Sequence, residues 1–181
     1  MIPDDTPGTP STAASFDREI TMSLSEVSAA LLREQSLLEM LLFKLEEEHL
    51  LLSAGRTRWL AAATREVEAV LEEIRRCGLL RAALVEGAAP GLGLGQNPSL
   101  RELAEVAPVP WDELLVHHRA SFLEITDEIS AQANANKQLV HRGAAATQDL
   151  LERATRERTG GRTGSRIGGR NETSFLVDQA M

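Results

Sequence analysis

A leucine repeat in the first third of the chain restricts the possible fold more than any other feature. Five leucines, each seven residues after the last, share one face of a long α-helix, because a coiled-coil seam recurs every seven residues. They are Leu24, Leu31, Leu38, Leu45 and Leu52. Leaving such a row in water is costly, since burying one leucine contributes about 1.5 to 3 kcal/mol. Most of this seam is therefore expected to pack against other helices.

The composition favours the same architecture. Hydrophobic residues make up 43% of the 181 residues, but aromatic residues only 3%, and tyrosine is absent. The apolar content is thus mostly Leu, Ala, Val and Ile, which suits helices packed on helices better than a β-sandwich or barrel. A chain of this length has room for one domain with tails.

The leucine row lies on the first of four predicted helices. The first helix is predicted to begin at Ser23, which forms a capping-box pattern with Glu26, and to end near Ser53, before Gly55. A second run holds two apolar rows: Leu60, Val67, Ile74 and Ala63, Val70, Cys77. A short helix, "SLRELAEV", is capped by Ser99, and a long one runs from Trp111 to beyond Leu150. These patterns predict an all-α fold, an elongated antiparallel helical hairpin or three-helix coiled-coil-like bundle with a short extra helix.

The ends of the chain differ in character from this region. Residues 1–22 are acidic and rich in proline, and residues 158–181 are rich in arginine and glycine. Neither segment has enough apolar surface to form a core, so both are predicted to be disordered tails around a helical domain at 23–157. The final "SFLVDQAM" is a small apolar patch to which the sequence assigns no role.

The seam of the last long helix changes along its length. Its first half contains Leu115, Phe122 and Ile129, whereas residues 132–151 place Gln, Asn, Gly and Ala in the seam. Small and polar side chains make a weaker core, so this half is expected to dock weakly. We hypothesise that it can exchange its own contacts for a helix of a partner.

Charge and cysteine content limit the possible partners and compartment. The net charge of −8 argues against general nucleic-acid binding, and the Arg/Gly tail has no aromatic residue between Arg158 and Arg170 on which bases could stack. The lone Cys77 fits a reducing compartment. The N-terminus lacks a secretory pattern and no apolar run is long enough to insert into a membrane, so a cytoplasmic protein is expected.

Residues that could carry chemistry have simpler interpretations. Glu46 and His49 form one Glu-x-x-His pair, but a di-iron bundle needs two, so a polar layer at His49 and Gln35 is the better interpretation. His118 lies on an apolar row, and Cys77 is interpreted as a small buried hydrophobic residue. The loop glycines at 91, 93 and 95 do not form a nucleotide-binding pattern. The sequence predicts no enzyme, no cofactor and no metal.

Two stretches resemble one known family. "LLEMLLFKLEEEHLLLSAGRTRWLAAATREVEAVLEEI" and "SLRELAEVAPVPWDELLVHHRASFLEITDEISAQANANKQLVHRG" follow each other in the order found in FlgN, the flagellar export chaperone, in its actinobacterial form. Asn136, Leu139, Val140 and Gly143 are similar to the Asn-x-x-Leu-Leu-x-x-Gly stretch of that family's last helix, with Val140 where a second leucine is commoner. The resemblance covers about residues 23–155.

The resemblance implies a cytoplasmic chaperone of type III flagellar export. Such proteins bind the hook–filament junction proteins FlgK and FlgL before secretion and deliver them to the export gate and its ATPase. They bind their clients through the C-terminal part of the last helix. On this chain, that part carries the following residues: Asn136, Leu139, Val140, Gly143, Thr147, Leu150 and Leu151.

One alternative remains open at this stage. The leucine seam at 24–52 could instead form a homodimer, giving a structural or adaptor coiled coil whose basic tail engages an acidic partner. The sequence alone leaves the oligomeric state open between monomer and homodimer.

Overall fold

The computed structural model describes residues 12–164, and side chains within 14–158. This part of the chain is all-α. It contains α1 (Thr12–Ser53), α2 (Thr57–Ala88), a short 3-10 turn (Pro90–Leu92), α3 (Leu100–Val106) and α4 (Trp111–Gly164). The chain divides into two compact units, with the boundary inside α4 between Lys137 and Gln138. The predicted all-α helical bundle is confirmed.

The first two helices form an antiparallel pair. Arg81 of α2 contacts Glu34 of α1, whereas Thr64, earlier in α2, donates to Glu48, later in α1. The turn between the helices is closed at Gly55, whose φ of 63° is in the left-handed region that glycine tolerates best. The Gly55 N–H donates to the Leu52 carbonyl and the Arg56 N–H to the Leu51 carbonyl. These two hydrogen bonds end α1 in a Schellman motif, and the predicted interruption at Gly55 is confirmed.

The leucine seam of α1 is core. Leu24 and Leu31 are 0% exposed, Leu38 and Leu45 are buried, and Leu52 at the helix end is partly exposed. One cluster collects side chains from all four helices: Leu24, Val27, Leu31, Val85, Ala88, Leu103, Ala104 and Leu115. A second cluster joins α1, α2 and α4: Leu41, Leu45 and Val67, with Val70, Ile74 and Ile129 against them. Since the seam is filled within one chain, it is not available for the dimer considered above.

Up to Asn136, the fourth helix runs parallel to α1. His118, near its start, pairs with Ser28 of α1 at 3.1 Å, and Asn136, further along, donates to the carbonyl of Leu45 at 2.8 Å. Both residue numbers increase together, so the two helices have the same direction. The short α3 completes the connection from α2 and contributes Leu103, which is 0% exposed.

The predicted cap of α3 is present. The Ser99 hydroxyl accepts from the Glu102 N–H at 3.2 Å, and the Ser99 N–H donates to Glu102 Oε2 at 2.7 Å. The bond from this backbone N–H is the main cause that lowers the pKa of Glu102. The reciprocal pair satisfies donors that a helix start leaves unbonded, and it fixes the helix that presents Leu103 to the core.

Two predicted helix ends are wrong. The helix α1 begins at Thr12, not at Ser23, so the expected capping box lies inside the helix and residues 12–22 are helical. The reason is Ile20, which is one turn before Leu24 and packs against the same cluster. The helix α4 ends at Gly164, beyond the predicted limit near 158, because a formed helix extends without a new nucleation step. Residues 1–11 and 165–181, including "SFLVDQAM", lie outside the described residues.

Candidate binding surface

Six of the seven residues expected to bind a client form one exposed surface on α4. At about 100° per residue, they fall within an arc of about 120° on the helix. Val140 is 50% exposed, Leu150 65% and Leu151 64%. Leu139 is partly exposed, and Gly143 and Thr147 are exposed. We call these residues the α4 stripe: Leu139, Val140, Gly143, Thr147, Leu150 and Leu151.

The charged residues of the same segment lie on the other faces of the helix. Between 139 and 151 they are Arg142 and Asp149, and neither these nor the imidazole of His141 falls inside the arc of the α4 stripe. Each described side chain from 141 to 158 is exposed. The segment is therefore an amphipathic helix whose apolar face is accessible, the arrangement by which one helix binds another.

Asn136, the seventh expected residue, differs from the other six because it is only 5% exposed. Its side-chain amide donates to the Leu45 carbonyl at 2.8 Å and to Glu48 Oε2 at 3.2 Å. Its oxygen lies 2.9 Å from Nδ1 of His49 and 3.2 Å from Nε2 of Gln132. In the described chain this side chain is fully hydrogen-bonded within the bundle, so it is not part of the exposed surface formed by the other six residues.

The bonds of Asn136 also test the predicted polar layer. His49 is partly buried and takes part in it, as predicted. Gln35 does not, because its amide donates to Glu39 of its own helix at 3.2 Å. Glu46 is exposed, and the part of the chain that the structure describes holds no group of three or more metal-ligating side chains.

His118 and Cys77 are core residues, as interpreted from the sequence. His118 is 3% exposed, and its burial lowers its pKa, with a smaller contribution from the nearby His117. Cys77 is 5% exposed, and its Sγ lies 3.6 Å from the Ala30 carbonyl. Burial raises the pKa of this thiol, with the Glu34 carboxylate adding to the effect, so it is held in the less reactive protonated form.

Sequence reasoning missed a second accessible apolar surface, on the α1–α2 pair. A groove there has Leu50 and Trp59 among its lining residues, and they are 67% and 52% exposed. Glu47 and Glu66 flank it, and both carboxylates bind Lys44, at 2.7 and 2.8 Å. The signal was present in the sequence as Leu50 beside the seam and Trp59 just after the turn.

These features define a class of protein before any comparison. The described chain is a helical bundle with apolar side chains exposed on the last helix, at the α4 stripe, and on the α1–α2 pair. A family model, that of FlgN protein, matches residues 22–166, and the chain belongs to the FlgN family. This is a family of flagellar export chaperones, whose members bind flagellar hook-associated proteins.

The other comparisons add no relative. Neither the curated proteins nor the solved structures contain a significant match to this chain. Among the helices of the described region, none combines the length and apolar character needed to cross a membrane.

Proposed function

We propose that this protein is the export chaperone of the hook–filament junction proteins FlgK and FlgL and that the α4 stripe is its client-binding surface. The observation that carries the proposal is the exposure of three large apolar side chains on one helical face, Val140, Leu150 and Leu151. In this proposal the complex forms in the cytoplasm, and the chaperone then delivers its client to the export gate and its ATPase.

The chemistry of the stripe supports a helical client. Apolar residues at spacings of three and four match the anchors of a helix that lies along another helix. Gly143 has no atom within 4 Å of the position of an added Cβ, so a partner backbone can approach closely there. The Thr147 hydroxyl donates to the Gly143 carbonyl of its own helix at 2.9 Å, which leaves its methyl group for apolar contact. Binding would cover the apolar face of a client segment until secretion.

The proposal is tested by calorimetric titration with the purified N-terminal and C-terminal helical segments of FlgK and FlgL from the same organism. The test variant is Leu139→Asp with Leu150→Asp, which places two charges on the α4 stripe. The matched control is Leu32→Asp with Leu79→Asp, which adds the same charges at leucines that are 55% and 74% exposed on α1 and α2.

We expect saturable binding by the unmodified protein and by the control, and loss of binding in the test variant with helicity nearly unchanged. Equal affinity of the test variant and the unmodified protein would remove the α4 stripe as the site. Absence of binding to any segment would remove FlgK and FlgL as clients. Delivery to the export gate is tested in a deletion strain, where secretion of both proteins should return with the unmodified chain and not with the test variant.

A further inference from the structure

The α4 stripe lies on a part of the helix that receives little support from its own side chains. Residues 141–158 are exposed, and Gly143 lowers helix propensity by about 1 kcal/mol relative to alanine. Nucleating an isolated helix is unfavourable, because the first turn fixes several residues for one hydrogen bond, whereas extending a formed helix adds one bond for each residue fixed. The ordered helix at 138–158 therefore depends on extension from residues of α4 that are already fixed.

The last buried side chain before this segment is that of Asn136. An asparagine amide has two N–H donors and an oxygen with two lone pairs, and all four are used here. The donors bind the Leu45 carbonyl and Glu48, and the oxygen accepts from Gln132 and His49. A carbonyl can only accept, so the amide nitrogen must face Leu45, the oxygen must face His49, and His49 must carry its proton on Nδ1.

The bonds of Asn136 extend to a third helix. Glu48, which accepts from Asn136, also accepts from the Thr64 hydroxyl of α2 at 2.8 Å. The network thus links α1, α2 and α4 at one level of the bundle. Burying a polar group costs free energy unless it is hydrogen-bonded, so an amide is favoured at position 136. Its bonds to α1 fix the register of α4 against α1.

We propose that Asn136 is a positioning residue for client binding: its fully bonded amide fixes the end of the packed part of α4 and so provides the turn from which the helix that carries the α4 stripe extends. The effect on client affinity rests on the function proposed above. The effect on the helix does not, so the two can be measured separately.

The test is Asn136→Asp, which keeps the shape of the side chain but removes both donors. Its carboxylate would face the Leu45 carbonyl and the Glu48 carboxylate. The Glu48 oxygen lies 3.2 Å from the side-chain nitrogen of Asn136 that the new carboxylate oxygen would replace. A second variant adds Glu48→Gln, which removes one charge and supplies an amide donor to the new carboxylate. The matched control is Asn134→Asp, the same substitution at an exposed position two residues earlier on α4.

Two quantities are measured: hydrogen exchange of the amides at 138–151 in the free protein, and calorimetric affinity for the FlgK or FlgL segment. We expect Asn136→Asp to speed exchange and weaken affinity, each by about tenfold. A tenfold change corresponds to the free energy of roughly one to two hydrogen bonds. Adding Glu48→Gln should recover much of both. Asn134→Asp should leave both unchanged.

Three results would each overturn the proposal. Exchange could be unchanged in Asn136→Asp, Asn134→Asp could have the same effects as Asn136→Asp, or adding Glu48→Gln to Asn136→Asp could recover neither quantity. Lost affinity with unchanged exchange would mean that Asn136 contacts the client directly. If the unmodified protein binds no segment, the client proposal fails and exchange alone decides the role of Asn136.

If Asn136→Asp does not fold, His49→Phe removes one of the four bonds at a partly buried position. Faster exchange at 138–151 is expected there, and no change would overturn the proposal.

Discussion

The bundle core and the C-terminal part of α4 both carry leucines on one helical face but differ in burial. Leu24 and Leu31 on α1 are 0% exposed, whereas Leu150 and Leu151 on α4 are 65% and 64% exposed. Both regions would be described as amphipathic helices from sequence. The difference shows that periodicity identifies an apolar face but not whether its partner is in the same chain.

Polar contacts divide the two regions in the same way. In the bundle some of them join different helices, as in the pairs Arg81–Glu34 and His118–Ser28. In the C-terminal part of α4, side-chain bonds such as Arg156 to Glu152 stay within one helix. Long-range bonds hold the bundle together, whereas local bonds of this kind stabilise a helix by only about 0.2 to 0.5 kcal/mol each. The following predictions test this contrast.

The largest effect is expected in the bundle core. Leu31→Ala removes a side chain that is 0% exposed and lies in the cluster shared by all four helices. We expect a loss of about 2 to 5 kcal/mol in the free energy of unfolding, from lost burial and the cavity left behind. Urea denaturation followed by circular dichroism measures it. A loss below about 1 kcal/mol would show that the core is not packed as described.

A smaller effect is expected at the polar contact between α1 and α2. Glu34→Ala leaves Arg81 without the carboxylate that it binds at 2.6 Å, and Glu34 is only 9% exposed. The expected loss is about 1.5 to 3 kcal/mol, the range for hydrogen bonds to charged groups. The control is Glu105→Ala, whose ion pair with Arg101 is exposed on both sides and should contribute little. Equal losses in the two variants would remove the distinction between the buried and exposed pairs.

The cap of α3 should contribute about 1 kcal/mol. Ser99→Ala deletes the hydroxyl that accepts from the Glu102 N–H, and an alanine N-cap costs about that amount. Thermal unfolding should show a lower midpoint for Ser99→Ala, whereas Ser99→Thr, which keeps a hydroxyl cap, should retain stability. If the two variants unfold alike, the cap does not stabilise the position of Leu103.

The smallest effect on stability is expected on the α4 stripe. Leu150→Ala removes a side chain that is 65% exposed, so the free energy of unfolding should change by no more than about 0.5 kcal/mol. Affinity for the client segment should nevertheless fall, because the side chain is proposed to bind there. A stability loss comparable to that of Leu31→Ala would mean that this leucine is packed in the folded chain.

The repeating features of the fold could be predicted from sequence. The seam from Leu24 to Leu45, the turn at Gly55 and the cap at Ser99 depend on local spacing and residue type, which a single sequence displays directly. The start of α1 was missed because Ser23 offers a good local cap, whereas the helix is extended by the packing of Ile20 on a cluster whose members come from all four helices. Tertiary contact overrode the local signal there.

The candidate site was only partly predictable. The sequence indicated that residues 132–151 make a weak seam, and the exposure of Leu150 agrees with that expectation. The family resemblance grouped Asn136 with the client-binding residues, because it matches the asparagine of the Asn-x-x-Leu-Leu-x-x-Gly stretch. Only the positions of Leu45, Glu48 and His49 around the amide reveal that its bonds are satisfied. Such a network depends on residues nearly 90 positions apart in the chain.

The most direct test of the account compares two exposed leucines. A photocrosslinking amino acid is placed at Leu150, on the α4 stripe, or at Leu79 of α2, which is 74% exposed. Each protein is irradiated with FlgK or FlgL from the same organism. The account predicts crosslinks from position 150 and few or none from position 79. Crosslinks from position 79 without any from position 150 would contradict it.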